Sequence, residues 1–177
     1  MKILGILRHA KSDWDDAAKR DFDRGLNDRG RRGASLIGDH IRGYGMQWDR
    51  LFASPAERVK QTLESALPEI EPEWDKRLYL ASAGAWTDFI ASNAADDENI
   101  LIAGHNPGLQ ELLFALVPQA NENDLFFEAA RKFPTAAFGV LELNIDSWTG
   151  LDEASGRLVH FARPRDLDET LGPDITV

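Results

Sequence analysis

Three short apolar runs in this sequence each end in a residue able to hold or attack an anion. Residues 3–7 lead into Arg8-His9. Residues 50–53 lead into Ser54-Pro55-Ala56-Glu57-Arg58-Val59-Lys60-Gln61-Thr62. Residues 100–103 lead into Gly104-His105-Asn106-Pro107-Gly108. Arginine gives forked hydrogen bonds to phosphoryl oxygens. A neutral imidazole can attack phosphorus in line and take the phosphoryl group, and positive neighbours keep it neutral near pH 7. His9 is therefore the candidate nucleophile, with Arg8, Arg58 and His105 set to stabilise charge on the equatorial oxygens. The arginines supply the positive charge, so this reading calls for no metal and no other cofactor. Lys11, Ser12 and Asn106 lie in the same loops and are candidate substrate-binding residues.

Taken singly, each of these residues has a plainer role: His9 as a satisfied polar group, Arg58 as a solvated helix arginine, His105 as a helix cap. Their coincidence at three strand ends favours the chemical reading, provided the three strands are neighbours. Other candidates are weaker. Asp13-Trp14-Asp15-Asp16 contains an Asp-x-Asp pair, but His9 holds the strand-end place where metal-dependent phosphotransferases need their first aspartate. Arg29-Gly30-Arg31-Arg32-Gly33 reads as a solvated helix face whose glycines allow close packing. His40 near a helix C-terminus and His160 among apolar residues of the last strand read as structural. No P-loop and no Gly-x-Gly-x-x-Gly occurs.

The elements that must position these residues alternate. Strands are expected at 3–7, 50–53, 77–80, 100–103, 138–145 and 158–161. Helices are expected at 28–42, from Ser54 (N-cap) and Pro55 (first turn) to about 67, at 85–93, and from Pro107 through 117. Asn27 or Asp28 can cap the first helix, and Gly43 and Gly45 stop it. Residues 11–26 form a long polar loop, and 146–156 a turn between the last two strands. Strands alternating with helices give a three-layer α/β/α fold, its central sheet mostly parallel with an antiparallel element at the end. One domain is expected over 1–165, followed by a loose acidic tail over 166–177.

Composition bounds the function. The chain has 177 residues, 20 Lys+Arg against 30 Asp+Glu, and a formal net charge of -10. That balance argues against a nucleic-acid or anionic-membrane partner. The chain has no cysteine, so thiolate catalysis, disulfides and Cys-ligated zinc are excluded. No apolar stretch approaches the ~20 residues that span a bilayer. The run at 3–7 is too short for a signal-peptide core and is interrupted by Arg8, so a cytoplasmic location is expected.

Leu7-Arg8-His9-Ala10-Lys11-Ser12, Arg58 in its Ser-Pro-Ala-Glu-Arg setting, Asp28-Arg29-Gly30, His105 in Gly-His-Asn-Pro-Gly, and Phe133-Pro134-Thr135 together resemble the histidine phosphatase superfamily, of phosphoglycerate mutase-like fold. The resemblance spans residues 3–162 and is strongest to the small SixA-type phosphohistidine phosphatases. It implies a pocket at the carboxyl edge of the sheet, a phosphohistidine intermediate on His9, no metal, and a phosphorylated protein or small phosphorylated compound as partner. Two departures stand out. Ala10 replaces the usual glycine after the histidine. The stretch 77–81, where mutase-like members carry a glutamate that protonates the leaving oxygen, reads Arg-Leu-Tyr-Leu-Ala. A labile phosphohistidine needs such an acid less than an alkyl phosphate does, so the gap favours phosphohistidine in a protein. Asp13, Asp15 or Asp16 could stand in as the acid. The alternatives are a phosphatase for small phosphoesters or nucleotides, and a phosphate-binding module without turnover.

Overall fold

A computed structural model of the chain describes residues 1–172. Six strands form one sheet: β1 (Lys2–Arg8), β2 (Arg50–Ala53), β3 (Glu73–Trp74), β4 (Asn99–Gly104), β5 (Phe138–Leu143) and β6 (Gly156–Ala162). Their spatial order is β3-β2-β4-β1-β5-β6. The β3–β2, β2–β4 and β4–β1 pairs are parallel; β1–β5 and β5–β6 are antiparallel. Six helices accompany them: α1 (Asp28–Tyr44), α2 (Glu57–Ala66), α3 (Ala83–Asn93), α4 (Gly108–Leu116), α5 (Asp124–Arg131) and α6 (Pro164–Leu167). The three-layer α/β/α architecture with a mostly parallel sheet is thus observed.

The sheet is two-sided because its strands are apolar on both faces. Leu4, Ile6, Phe52, Ile100 and Ile102 pack with α3, α4 and α5 through Trp86, Leu112 and Phe126. Leu7, Leu51, Ala53, Leu101 and Ala103 pack with α1 and α2 through Ile37, Ile41, Val59 and Leu63. Asn27 caps α1, accepting the Gly30 N–H at 2.7 Å, and Gly45 closes it in the left-handed region at φ 82°.

Register decides where the polar clusters meet. Ala53 and Leu7 both lie beside Ala103, and Arg8 beside Gly104. The three parallel strands therefore end level, on adjacent ladders, and release their loops at one edge. Two glycines permit the close approaches this needs. A Cβ on Gly30 would stand 2.1 Å from the Lys11 carbonyl oxygen, and one on Gly108 would stand 1.8 Å from that of Ala81.

Several local expectations are corrected. Residues 77–80 are not a strand: Asp75 accepts the Arg77 N–H at 2.9 Å and starts a 3-10 turn over Lys76–Leu78. The edge strand is instead the exposed pair Glu73–Trp74. Ser54 and Pro55 do not open α2, which begins at Glu57 after Ala56; Ser54 is engaged elsewhere. α5 fills a stretch to which periodicity assigned nothing. β5 ends at Leu143, and the connection to β6 holds a 3-10 segment, Trp148–Glu153. Of the tail expected to be loose, 166–172 carries the end of α6 and a 3-10 turn over Glu169–Leu171. It is tied to α1 by an Arg32–Asp168 ion pair at 3.2 Å. Residues 173–177 lie outside those described.

Candidate active site

Arg8, His9, Arg58 and His105 meet at this edge. The last three are 7, 3 and 2 % exposed, so each polar group must be accounted for. Arg8 ends β1, and its Nη1 donates to the Phe133 carbonyl at 3.0 Å. His9 follows, its Nδ1 donating to the Ala10 carbonyl at 2.8 Å. A carbonyl only accepts, so the ring proton is fixed on Nδ1 and Nε2 carries the lone pair. Ala10, fully buried, is anchored in turn. Its N–H donates to Thr62 Oγ1 at 2.9 Å, and that hydroxyl donates to the Arg58 carbonyl at 2.6 Å. The loop carrying His9 and the helix carrying Arg58 are thereby locked together.

His105 lies beside His9, ring centroids 5.3 Å apart and tilted by 54°. Its Nε2 stands 2.7 Å from Ser54 Oγ, which also accepts the Ala56 N–H at 3.3 Å. That bond engages one nitrogen of the His105 ring; the other is Nδ1. That nitrogen is buried and has no partner among the described residues. The same holds for Nε of Arg8 and of Arg24. Three unpaired buried nitrogens, two of them obligate guanidinium donors, are costly unless a polar group fills the space between them.

Electrostatics follow from burial. His9 is lowered to about 3, by desolvation first and then by the charges of Arg8, Arg58 and Arg24, against the pull of the Ala10 carbonyl. His105 is also lowered to about 3, by desolvation, His9 and Arg58. Arg8 is lowered as well, by burial and by Arg58. The site is positive, dry and holds neutral imidazoles, a setting suited to a dianion.

Three further residues complete the site without having been expected there. Asp21 sits in a 3-10 turn (Asp21–Asp23) of the long loop and faces Arg58. Arg58 Nη2 donates to Asp21 Oδ2 at 3.0 Å and Nη1 to its carbonyl at 2.7 Å. Arg24 Nη2 donates to Asp21 Oδ1 at 2.6 Å, and the Tyr79 hydroxyl makes a short hydrogen bond to Oδ2. Burial raises the Asp21 carboxyl, but the bonds from Tyr79, Arg58 and Arg24 prevail and bring it to about 2. Trp14 lies against the Arg24 guanidinium at 3.5 Å. Tyr79 comes from the 77–81 stretch that lacks a glutamate; burial and Asp21 raise its hydroxyl. Asp13, Asp15 and Asp16 do not reach the site: Asp13 and Asp16 accept local N–H groups of Asp15 and Ala18. Position in an aperiodic loop gave Asp21 and Arg24 no signal in the sequence.

The second-tier residues separate. The Asn106 side chain donates to the Phe133 carbonyl at 2.9 Å, sharing that acceptor with Arg8. Ser12 is buried in a bridge to Leu26, and its carbonyl accepts from Asn27 at 3.3 Å. Lys11 is exposed and lines a neighbouring cavity. His40 and His160 lie on α1 and β6, paired with each other. No cluster of three or more His, Cys, Asp or Glu able to hold a metal occurs among the described residues. No helix among them is long and apolar enough to cross a membrane.

Comparison with known proteins agrees with this geometry. An uncharacterised protein of Mycobacterium leprae is 32% identical over 164 residues, covering 90% of this chain and all of the relative. A structure named as a candidate phosphohistidine phosphatase SixA from Nakamurella multipartitia superposes with a TM-score of 0.81 at 27% identity, covering 92% of this chain and 96% of the other. A candidate phosphohistidine phosphatase SixA from Agrobacterium tumefaciens gives 0.76 at 28% identity, covering 92% and 98%. Residues 4–117, which carry all of Arg8, His9, Arg58 and His105, match the family model for the histidine phosphatase superfamily, branch 1. With that match over most of its length and these neighbours over nearly all of it, the chain belongs to the histidine phosphatase superfamily and is of the SixA type.

Proposed function

We propose that this protein is a metal-independent phosphatase that uses His9 as nucleophile and removes the phosphoryl group from phosphohistidine in a protein. The observation that carries the proposal is the fixed lone pair on His9 Nε2, amid buried donors of Arg8 and Arg24 that lack a protein acceptor and beside the unpartnered Nδ1 of His105. Phosphoryl oxygens satisfy those donors. In the first step His9 Nε2 forms a bond to phosphorus while the bond from phosphorus to the substrate's ring nitrogen breaks; that ring, protonated on its other nitrogen, keeps the electron pair and leaves as neutral imidazole. In the second, water attacks phosphorus while the bond to His9 Nε2 breaks; the electron pair returns to the ring, which is again neutral, and the water's proton leaves with the phosphate. Guanidinium charge stabilises both transition states.

The leaving group points to phosphohistidine. The carboxylate nearest the arginines, Asp21, is held ionised down to about pH 2 and is a poor proton donor. With no acid to protonate it, an alkoxide is a poor leaving group; an imidazole leaves from a labile P–N bond and needs less help. The open edge also suits a protein surface. Hydrolysis of small phosphoesters is the second reading, and it requires comparable rates on alkyl phosphates.

The test is trapping. Wild type and His9→Ala are incubated with labelled phosphoimidazole in EDTA, quenched, and mapped for acid-labile phosphate. Label on His9, lost in the variant together with turnover, is expected. Turnover that persists in His9→Ala, or that stops in EDTA, overturns the mechanism.

A further inference from the structure

A cavity adjoins the site along the chain segment that follows His9, with Ala10 and Lys11 in its lining. Its volume is about 130 Å³, and its lining includes Lys11, Arg29, Lys132, Arg163 and Arg165. No aspartate or glutamate lines it. In a chain of net charge -10, five cations around one small cavity without an acid run against the overall balance. Partners account for two of them. Arg29 donates to the Gly172 carbonyl, and Arg163 is held by Asp166 at 3.0 Å and approached by Glu128 at 3.8 Å. Lys11, Lys132 and Arg165 make no ion pair among the described residues.

The cavity is coupled to the active site by a shared wall. Ala10 and Lys11 directly follow His9, and the Ala10 carbonyl is the group that orients the His9 ring. Pro134, Thr135 and Ala136 also line it. The Ala136 N–H bonds the carbonyls of Arg8 and His9 at 3.1 and 2.9 Å, and Phe133 accepts from Arg8. The cations of the cavity and the catalytic histidine are thus carried by one hydrogen-bonded unit of the chain.

We propose that this cavity is a second anion-binding subsite, which receives an acidic side chain of the protein substrate flanking the phosphorylated residue. The inference rests on the phosphoprotein reading above and adds a preference: acidic sequence next to the phosphohistidine. Each exposed ion pair contributes little on its own. Two or three acting on one carboxylate yield about a tenfold effect on KM.

Two phosphohistidine peptides that differ only in flanking Glu or Gln test it, together with phosphoimidazole as a small substrate. The wild type is expected to show about a tenfold lower KM for the Glu peptide. Lys132→Glu/Arg165→Glu is expected to remove that gap while leaving phosphoimidazole turnover unchanged. Lys132→Gln/Arg165→Gln, which introduces no new charge, narrows the gap and guards against a misfolded double reversal. Binding of an unphosphorylated Glu-rich peptide, followed by fluorescence anisotropy, needs no catalysis. Binding that is lost in the charge-reversed variant, in a protein that turns over nothing, leaves the subsite standing and defeats the phosphatase reading. Turnover of both peptides with equal KM defeats the subsite and leaves the phosphatase. Retention of inorganic phosphate by the cavity without peptide discrimination assigns it to a free anion and also overturns the proposal.

Discussion

The chain has four histidines, arranged as two pairs with opposite chemistry. His9 and His105 stand at strand ends, 5.3 Å apart between ring centroids and tilted by 54°, each bonded to a different neighbour. His40 and His160 stand on α1 and β6, stacked within 15°, with their Nε2 atoms 2.8 Å apart. The second pair satisfies itself: one ring donates, the other accepts, and Tyr44 packs against His160. The first pair is prevented from doing so. Ala10 and Ser54 engage one nitrogen of each ring, and Nε2 of His9 and Nδ1 of His105 have no hydrogen-bond partner among the described residues. In both pairs one nitrogen of each ring is bonded within the protein; the difference is that His9 and His105 are buried, whereas His40 and His160 are half-buried and their second nitrogens can meet water.

The largest effect is expected from disturbing the positive surroundings of the first pair. Arg58 is buried, bonded to Asp21, and lowers the affinity of both His9 and His105 for protons. On the proposed mechanism, Arg58→Ala removes the buried guanidinium charge beside both histidines, together with the anchor of Asp21. Its kcat/KM on phosphoimidazole should fall by about 10²–10³, the loss typical of removing one preorganised donor. Rates within about threefold of wild type would mean that Arg58 serves only to dock the loop through Asp21.

Acid separates the pairs next. His9 and His105 are held near 3 in the folded protein against 6.5 for a free histidine. Between those values the unfolded chain binds more protons than the folded one, so stability rises with pH across the window and is lost as pH falls through it. From pH 7 to pH 5 the loss amounts to about 2 kcal/mol per histidine. His160 is lowered too, by burial and by His40, but it is only half-buried and contributes less. Urea midpoints at pH 7 and pH 5 check this. His9→Gln/His105→Gln should flatten the pH dependence more than His40→Gln/His160→Gln does. Equal flattening would show that the two pairs feel the same field and that the comparison fails.

What the sequence made legible was the part of the site set by strand ends. Continuous apolar runs at β1, β2 and β4 marked buried parallel strands, and the polar residue just beyond each had only one edge to occupy. The Asn27 cap was legible for the same local reason. Features that depend on tertiary contact were not. Glu73–Trp74 is a two-residue edge strand with both side chains exposed, so it has no apolar signature. Leu78 sits in a 3-10 turn because Asp75 caps it, although its apolar neighbours suggested a strand. α5 did carry a signal: Asn123 accepts the Phe126 N–H at 2.9 Å, and Phe126 and Ala129 are buried at a spacing of three. Asp21, Arg24 and Tyr79 meet over separations of up to 58 residues, and no local pattern brings a loop aspartate to a helix arginine.

The smallest expected effect tests the quiet side of the comparison. His40→Ala removes the partner of His160 Nε2 and leaves that nitrogen half-buried without a bond. The net cost of one such hydrogen bond is about 1 kcal/mol at pH 7, read as a lower urea midpoint. His40→Gln retains an amide that can donate to His160 and should recover most of that loss. Because the pair lies on α1 and β6 and makes no bond to Arg8, His9, Arg58 or His105, neither variant should change kcat/KM on phosphoimidazole by more than about twofold. A larger fall in His40→Ala that His40→Gln restores would mean that the stacked pair positions β6 and α1 around the active edge. The two pairs would then be parts of one device.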